Sequence, residues 1–219
     1  MGRFVNPDNT TFKAALNTKI YVDKTELIEF TNSLIGTTEN FICNSRPRRF
    51  GKSYTANMLS AYYSKGCNSR ELFSNLAVAK SSAYLEYLNK FDVIHFDLQW
   101  FFSKEHIDET VDLITNTIVD ELKTIYEDVL SADIRTIPDA LSQIYAATGN
   151  RFVIIIDEWD MLIRDASKNK DIQDKYIDFL RRLFKGIEPE KYIALAYITG
   201  ILPIKKYNTQ SALNNFNEY

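Results

Sequence analysis

At 219 residues, 45% of them hydrophobic, the chain is long enough to form one sizeable domain around a buried core. Its formal charge of -3, from 26 basic against 29 acidic side chains, excludes a global electrostatic pull towards nucleic acid or acidic membranes, so any basic function is local. Two cysteines, Cys43 and Cys67, lack metal-like or redox-motif spacing, which argues against a disulfide framework or a zinc knuckle. With no apolar leader and no run near the roughly 20 apolar residues of a membrane span, the expectation is a cytoplasmic protein.

Residues 1–19 are polar and turn-like, with Asn6-Pro7-Asp8-Asn9 the clearest loop signal. They are expected to form an N-terminal arm, loose or laid over the surface, ahead of a single domain spanning 20–219. Ile20-Tyr21-Val22 is a short β-like run. Asp23 and Glu26 then have capping-box spacing before a helix expected over 24–33. Phe41-Ile42-Cys43 reads as a buried strand, and a helix follows over 52–64 with Met58, Leu59 and Tyr62 on one side. Short helices are expected over 71–76 and 83–88, and a strand over 91–98 from its β-branched and aromatic content.

Ser103 is a candidate N-cap for a long amphipathic helix reaching to about 130, carried by Ile107, Val111, Ile114, Ile118, Leu122 and Ile125. Another helix is predicted over 138–147, with proline at its start and Gly149 past its end. Residues 151–156 are the most apolar run in the chain and end in Asp157-Glu158; continuous apolarity implies burial on both faces, as in a parallel sheet. A helix over 170–185 stops at Gly186 and Pro189, and a last buried strand is expected over 192–199. Strands alternating with helices predict a parallel α/β sandwich with its functional residues at the carboxyl ends of the strands.

The chemistry concentrates at three of those ends. Arg46-Pro47-Arg48-Arg49-Phe50-Gly51-Lys52-Ser53 lies between a strand and a helix. Gly51-Lys52-Ser53 offers amides at a helix start, an ammonium for terminal phosphates and a hydroxyl for magnesium. The phosphate-loop pattern GxxxxGK[ST] has glycine where this chain has Arg46. Asp157 would complete the magnesium site with Ser53, and Glu158 would orient the attacking water. The bland alternative is an acidic pair that merely favours a helix start. Thr199 takes a sensor position if its strand lies between the other two. The candidate set is therefore Glu158, Lys52 and Thr199 for catalysis, residues Arg46 to Tyr54 for ATP, and Ser53 and Asp157 for Mg²⁺. Asp160 is a possible supporting acid, Asp97 a turn cap, His95 a core residue, and Trp100-Phe101-Phe102 a hydrophobic anchor.

The segments Tyr21-Val22-Asp23-Lys24-Thr25, Arg46 to Ser53, Ile156-Asp157-Glu158-Trp159-Asp160 and Thr199-Gly200-Ile201-Leu202 together resemble the AAA-ATPase-like family of bacterial proteins, related to STAND and archaeal ATPases. The resemblance covers nearly the whole chain and accounts for Arg46, since members commonly carry Arg-Pro-Arg-Arg-Phe-Gly-Lys there. It implies a P-loop NTPase of the additional-strand class, a three-layer sandwich with sheet order 5-1-4-3-2, and ATP and magnesium as ligands. It also implies a C-terminal PD-(D/E)XK nuclease-like domain as attached or separate partner, and places Asp23 and Lys24 near the nucleotide base. Relatives run on past Asn214-Asn215-Phe216 into a final core strand, so the expectation is a truncated domain whose fifth strand is missing and whose Phe41 strand is covered, if at all, by Ile20 to Val22. Arg46, Arg48 and Arg49 either compensate triphosphate charge, with a reach across a homo-oligomer, or form a solvated basic loop paired with neighbouring acids, and the arginine cluster with the aromatic run leaves a nucleic-acid-binding regulator or a non-hydrolysing scaffold as rival functions.

Overall fold

A computed structural model of the protein describes residues 2–103, 105–166, 169–204 and 213–219. Its centre is a five-stranded sheet in which every strand pairing is parallel: β1 (Phe41–Ser45), β2 (Asp92–Asp97), β3 (Phe152–Asp157), β4 (Ile193–Gly200) and β5 (Asn217–Glu218), in the order β2-β3-β4-β1-β5. β3 and β4 are buried along their whole length. This is why their sequences read as unbroken apolar runs rather than as alternating ones.

Side chains alternate across the sheet into two cores. Phe152, Ile154 and Ile156 of β3 join Phe41 and Cys43 of β1 in one, against α6 (Thr110–Ile125), α7 (Ile137–Thr148) and α9 (Lys170–Phe184). Val153 and Ile155 join Ile42 in the other, against α1 (Thr10–Leu16), α2 (Glu26–Leu34) and α3 (Lys52–Tyr63). The alternation slips once on β4, where Phe152 pairs with Ile193 but Val153 with Leu195. The extra residue there lets Ala194 and Leu195 face the same core.

The sheet corrects one expectation outright. A fifth strand is present, on the free side of β1: Ile42 is in register with Asn217 and Cys43 with Glu218, while the Tyr219 amide donates to the Cys43 carbonyl at 2.9 Å. β5 is two polar residues long and carries no apolar signal; it is held by backbone pairing and by Phe216, which packs edge-on to Phe41 and Phe184. Ile20 and Val22 do not cover that edge. They are 85% and 66% exposed and lie in no strand.

Other elements shift for local reasons. A short 3₁₀ turn, Ile107–Glu109, precedes α6, so the helix starts later than Ser103 would allow. α10 (Ile187–Tyr192) occupies the break expected at Gly186, tolerating Pro189 because it falls in the first turn. Residues 83–88 form turns rather than a helix. α7 has the predicted proline start, with Thr136 as cap and Gly149 in the left-handed region after its end.

The first residues are tied into the body. Phe4 and Val5 are buried, Val5 forms an antiparallel bridge with Ile94, and the Glu121 carboxylate accepts the amides of Arg3, Phe4 and Val5. Phe12 of α1 stacks on Phe73 with ring centres 4.9 Å apart.

Beneath this arm Asp92, 1% exposed, accepts from Asn6 at 2.8 Å, Lys65 at 2.7 Å and the Tyr126 hydroxyl at 2.6 Å. Replacing Asp92 by alanine strips three donors of their acceptor, one of them a half-buried cation. The expected loss is about 2 to 4 kcal/mol of unfolding free energy in urea. A loss below about 0.5 kcal/mol, the size of an ordinary surface change, would show that the network does not hold the arm.

Candidate functional site

The strand ends form a row. Asn44 of β1 is in register with Thr199 of β4, Thr199 with Asp157 of β3, and Asp157 with Asp97 of β2. The period of two puts all four on the face that carries α3. The helix N-terminus at Lys52 therefore points its free amides at the same edge from which these side chains rise.

Gly51 caps α3 with φ +77°, a left-handed conformation that favours glycine, and a β-carbon there would approach the Lys24 ammonium to 3.1 Å. Arg49, at φ +71°, adopts the same conformation without that freedom, so the loop turns sharply at two positions before the helix. Lys52 is 6% exposed and donates to the Pro47 carbonyl at 3.2 Å, folding its ammonium back over the loop. Lys24 donates to the Phe50 carbonyl at 2.9 Å.

Asp157 is buried, accepts the Glu158 amide at 2.9 Å and faces the Ser53 hydroxyl. Burial pushes its carboxyl up to about 6, the neighbouring Asp97 and Glu158 charges adding to the rise, while the Ser53 hydroxyl and Glu158 amide oppose it. Asp97 is raised too, chiefly by burial, and caps α5 (Leu98–Phe101) by accepting the Gln99 amide at 2.8 Å.

The raised Asp157 carboxyl has a stability consequence of definite sign. A folded value of about 6 against an ordinary 3.8 means that the fold prefers the protonated acid, so stability falls as pH rises from 3.8 through 6. The full penalty, about 3 kcal/mol at most, stands above pH 6. Asp157→Asn is accordingly expected to raise the melting temperature of the protein in EDTA at pH 7.5 and to leave it unchanged near pH 3.5. An equal shift at both pH values would refute the charge-burial account.

Glu158 has φ +52°, unusual for a non-glycine residue. Its carboxylate accepts from Arg164 of α8 (Met161–Asp165) at 2.8 Å. Asp160, fully buried, accepts the amides of Ile201 and Leu202 at 3.1 and 2.8 Å and so fastens the chain leaving β4. Gly200 is required at that crossing, since a β-carbon would stand 2.5 Å from the Asp160 carboxylate and 2.8 Å from the Trp159 ring.

Three cavities meet at the phosphate-loop segment. One of about 480 Å³ is lined by Arg48, Arg49, Lys52, Ser53, Tyr54, Glu158 and Arg164. A second of about 490 Å³ shares Arg49, Gly51 and Tyr54 with it and is also lined by Tyr21, Val22, Lys24, Phe50 and Met58. A third of about 540 Å³ reaches Ser53 and Asp157 from beneath the N-terminal arm and includes His95 and Asp97. His95 is held neutral there, burial lowering its pKa to about 4.

The structure thus brings Arg48, Arg49, Gly51, Lys52, Ser53, Tyr54 and Glu158 to one cavity, with Asp157 against Ser53. Phe50 turns to the second cavity. Pro47 contributes its carbonyl. Arg46 is exposed, donates to its own loop at the Ser45 carbonyl and lines none of the three cavities. Thr199 is fully buried and donates to the Asn44 carbonyl at 3.2 Å. Asp23 accepts from Thr25 and from the Ala77 amide, bracing the start of α2 against the following layer. Trp100 and Phe101 separate: Phe101 packs on Phe4, while Trp100 is exposed under the Arg3 guanidinium. Arg164 is the site residue that the sequence reading missed.

Among the described residues, no three His, Cys, Asp or Glu side chains group as a metal site, and no helix is long and apolar enough to cross a membrane. One hydroxyl and one carboxylate, Ser53 and Asp157, is the sparse all-oxygen set that suits magnesium, an ion that keeps water and phosphate oxygens in its shell.

No solved structure matches the chain. It is 28% identical over 214 residues to a protein of Azotobacter chroococcum mcd 1 described as "Uncharacterized protein in vnfD 5'region"; the match covers 90% of this chain and 37% of that relative's length. A family described as "Predicted AAA-ATPase" matches residues 11–209, which takes in every strand-end residue of the site. On that match the chain belongs to the predicted AAA-ATPase (AAA-ATPase-like) family, for which nucleotide binding is implied.

Proposed function

We propose that the protein is a P-loop ATPase module of the additional-strand class, binding ATP with magnesium and hydrolysing it slowly or under regulation. One observation carries the reading. Lys52 and Ser53, at the start of α3, share a cavity of about 480 Å³ with Glu158, and Ser53 faces the Asp157 carboxylate.

In this reading the α3 amides and the Lys52 ammonium hold the phosphates, and Arg48 and Arg49 add positive charge at the cavity mouth. The second cavity, with Tyr21, Val22, Tyr54 and Met58 on its walls, suits a flat base beside Lys24. Ser53 and Asp157 would hold magnesium, which supplies charge neutralisation at the phosphate oxygens when bound. Glu158 accepts a hydrogen bond from water and aligns it with the terminal phosphorus. The water oxygen bonds to phosphorus, the bond to the bridging oxygen breaks, ADP departs with that electron pair, and the water proton passes to Glu158 or solvent. Thr199, beside Asp157 in the row, supports the geometry of the strand end. The resemblance to nuclease-linked relatives supports an attached or separate nuclease-like effector as what the module controls.

Isothermal titration with ATP and Mg²⁺ tests the reading. Saturable binding is expected, and failure of the folded protein to bind ATP would overturn it.

A further inference from the structure

Arg164 stands between two duties. Its terminal nitrogen donates to Glu158 at 2.8 Å, and its Nε lies 3.4 Å from the Asp160 carboxylate without forming a hydrogen bond. The side chain is only 18% exposed, and the same residue lines the cavity with Arg48, Arg49, Lys52 and Ser53. One guanidinium thus reaches both the carboxylate assigned to the attacking water and the space assigned to phosphate.

A carboxylate held by a guanidinium has an oxygen committed to that donor and is a poorer acceptor for water. Glu158 is also held with an uncommon backbone, at φ +52°. A terminal phosphate offers a guanidinium more charge and more acceptor oxygens than a carboxylate does, and arginine's planar fork suits it. The buried Nε without a hydrogen bond marks the present arrangement as incompletely satisfied for Arg164. Asp160, immobilised by its two amide bonds, gives the arginine stem a fixed neighbour to turn against.

We propose that Arg164 reads the terminal phosphate of a nucleoside triphosphate: it pairs with Glu158 and moves its guanidinium to that phosphate when it enters the cavity, freeing Glu158 to orient water. The inference rests on the nucleotide site described above. It makes Arg164 a reader of the third phosphate, since a diphosphate cannot draw it from Glu158.

The test is calorimetric binding of ADP and of a non-hydrolysable ATP analogue, each with Mg²⁺, to the wild type, Arg164→Ala and Arg164→Lys. In wild type the triphosphate binds more tightly. Arg164→Ala is expected to weaken the triphosphate about tenfold or more, the cost of one charged hydrogen bond, and to leave ADP within about twofold. Arg164→Lys, which keeps the charge without the fork, falls between and guards against a folding defect in the alanine variant. Equal weakening of both nucleotides, or an unchanged ratio, in either folded variant overturns the inference alone. A wild type that binds neither nucleotide overturns the site reading and this inference with it.

Discussion

Lys52→Ala is expected to weaken ATP binding in the presence of Mg²⁺ by at least about 30-fold, enough to remove the calorimetric signal at micromolar protein. The argument comes from burial. Lys52 is 6% exposed, and the hydrogen bond it forms is to the neutral Pro47 carbonyl. A buried ammonium facing a cavity gains most from an incoming anion, because solvent screens the attraction little. Arg48 and Arg49 are exposed on the same loop, so each is expected to contribute less, as screened surface charges do. The ligand-free variant should melt within a few degrees of wild type, since the loop turn is set by the backbone at Arg49 and Gly51. Binding by Lys52→Ala as tight as by wild type would remove the phosphate assignment.

That prediction was available from Gly51-Lys52-Ser53 alone; its neighbour Arg164 was not. The strands β1 to β4 announce themselves because each is buried and short, and the acids stand where apolarity stops. The start and the end of α7 were legible from Pro138 and Gly149. β5 is the opposite case: Asn217 and Glu218 have no hydrophobic period, and their strand character comes from pairing with Ile42 and Cys43, far away in sequence. α1 was hidden in a segment whose polar residues outnumber Phe12 and Ala15, the two side chains that it buries. Arg164 follows Glu158 by six positions, a spacing with no meaning until the turn after β3 is known. The one available signal was its place four residues after Asp160, where a helix brings opposite charges together. Arg46 shows the converse. The substitution that made the phosphate-loop pattern look imperfect belongs to a side chain that lines none of the three cavities at the loop, so glycine's absence there obstructs none of them.

Glu158→Gln separates binding from chemistry. The amide keeps the shape of the carboxylate and can still accept from Arg164, whose terminal nitrogen donates to Glu158 at 2.8 Å, so the cavity wall should persist. Removing one negative charge beside the phosphate space lowers repulsion, and ATP is expected to bind within about threefold of wild type or more tightly. Turnover is expected to fall by about 10² to 10³, the usual worth of a positioned general base. The amide nitrogen would present protons to the water, and the oxygen cannot take one up. Steady-state phosphate release set beside the calorimetric titration reads both quantities on one preparation. Hydrolysis at the wild-type rate would strip Glu158 of the water-orienting role, whereas joint loss of binding and turnover would mean that its pairing with Arg164 shapes the pocket itself.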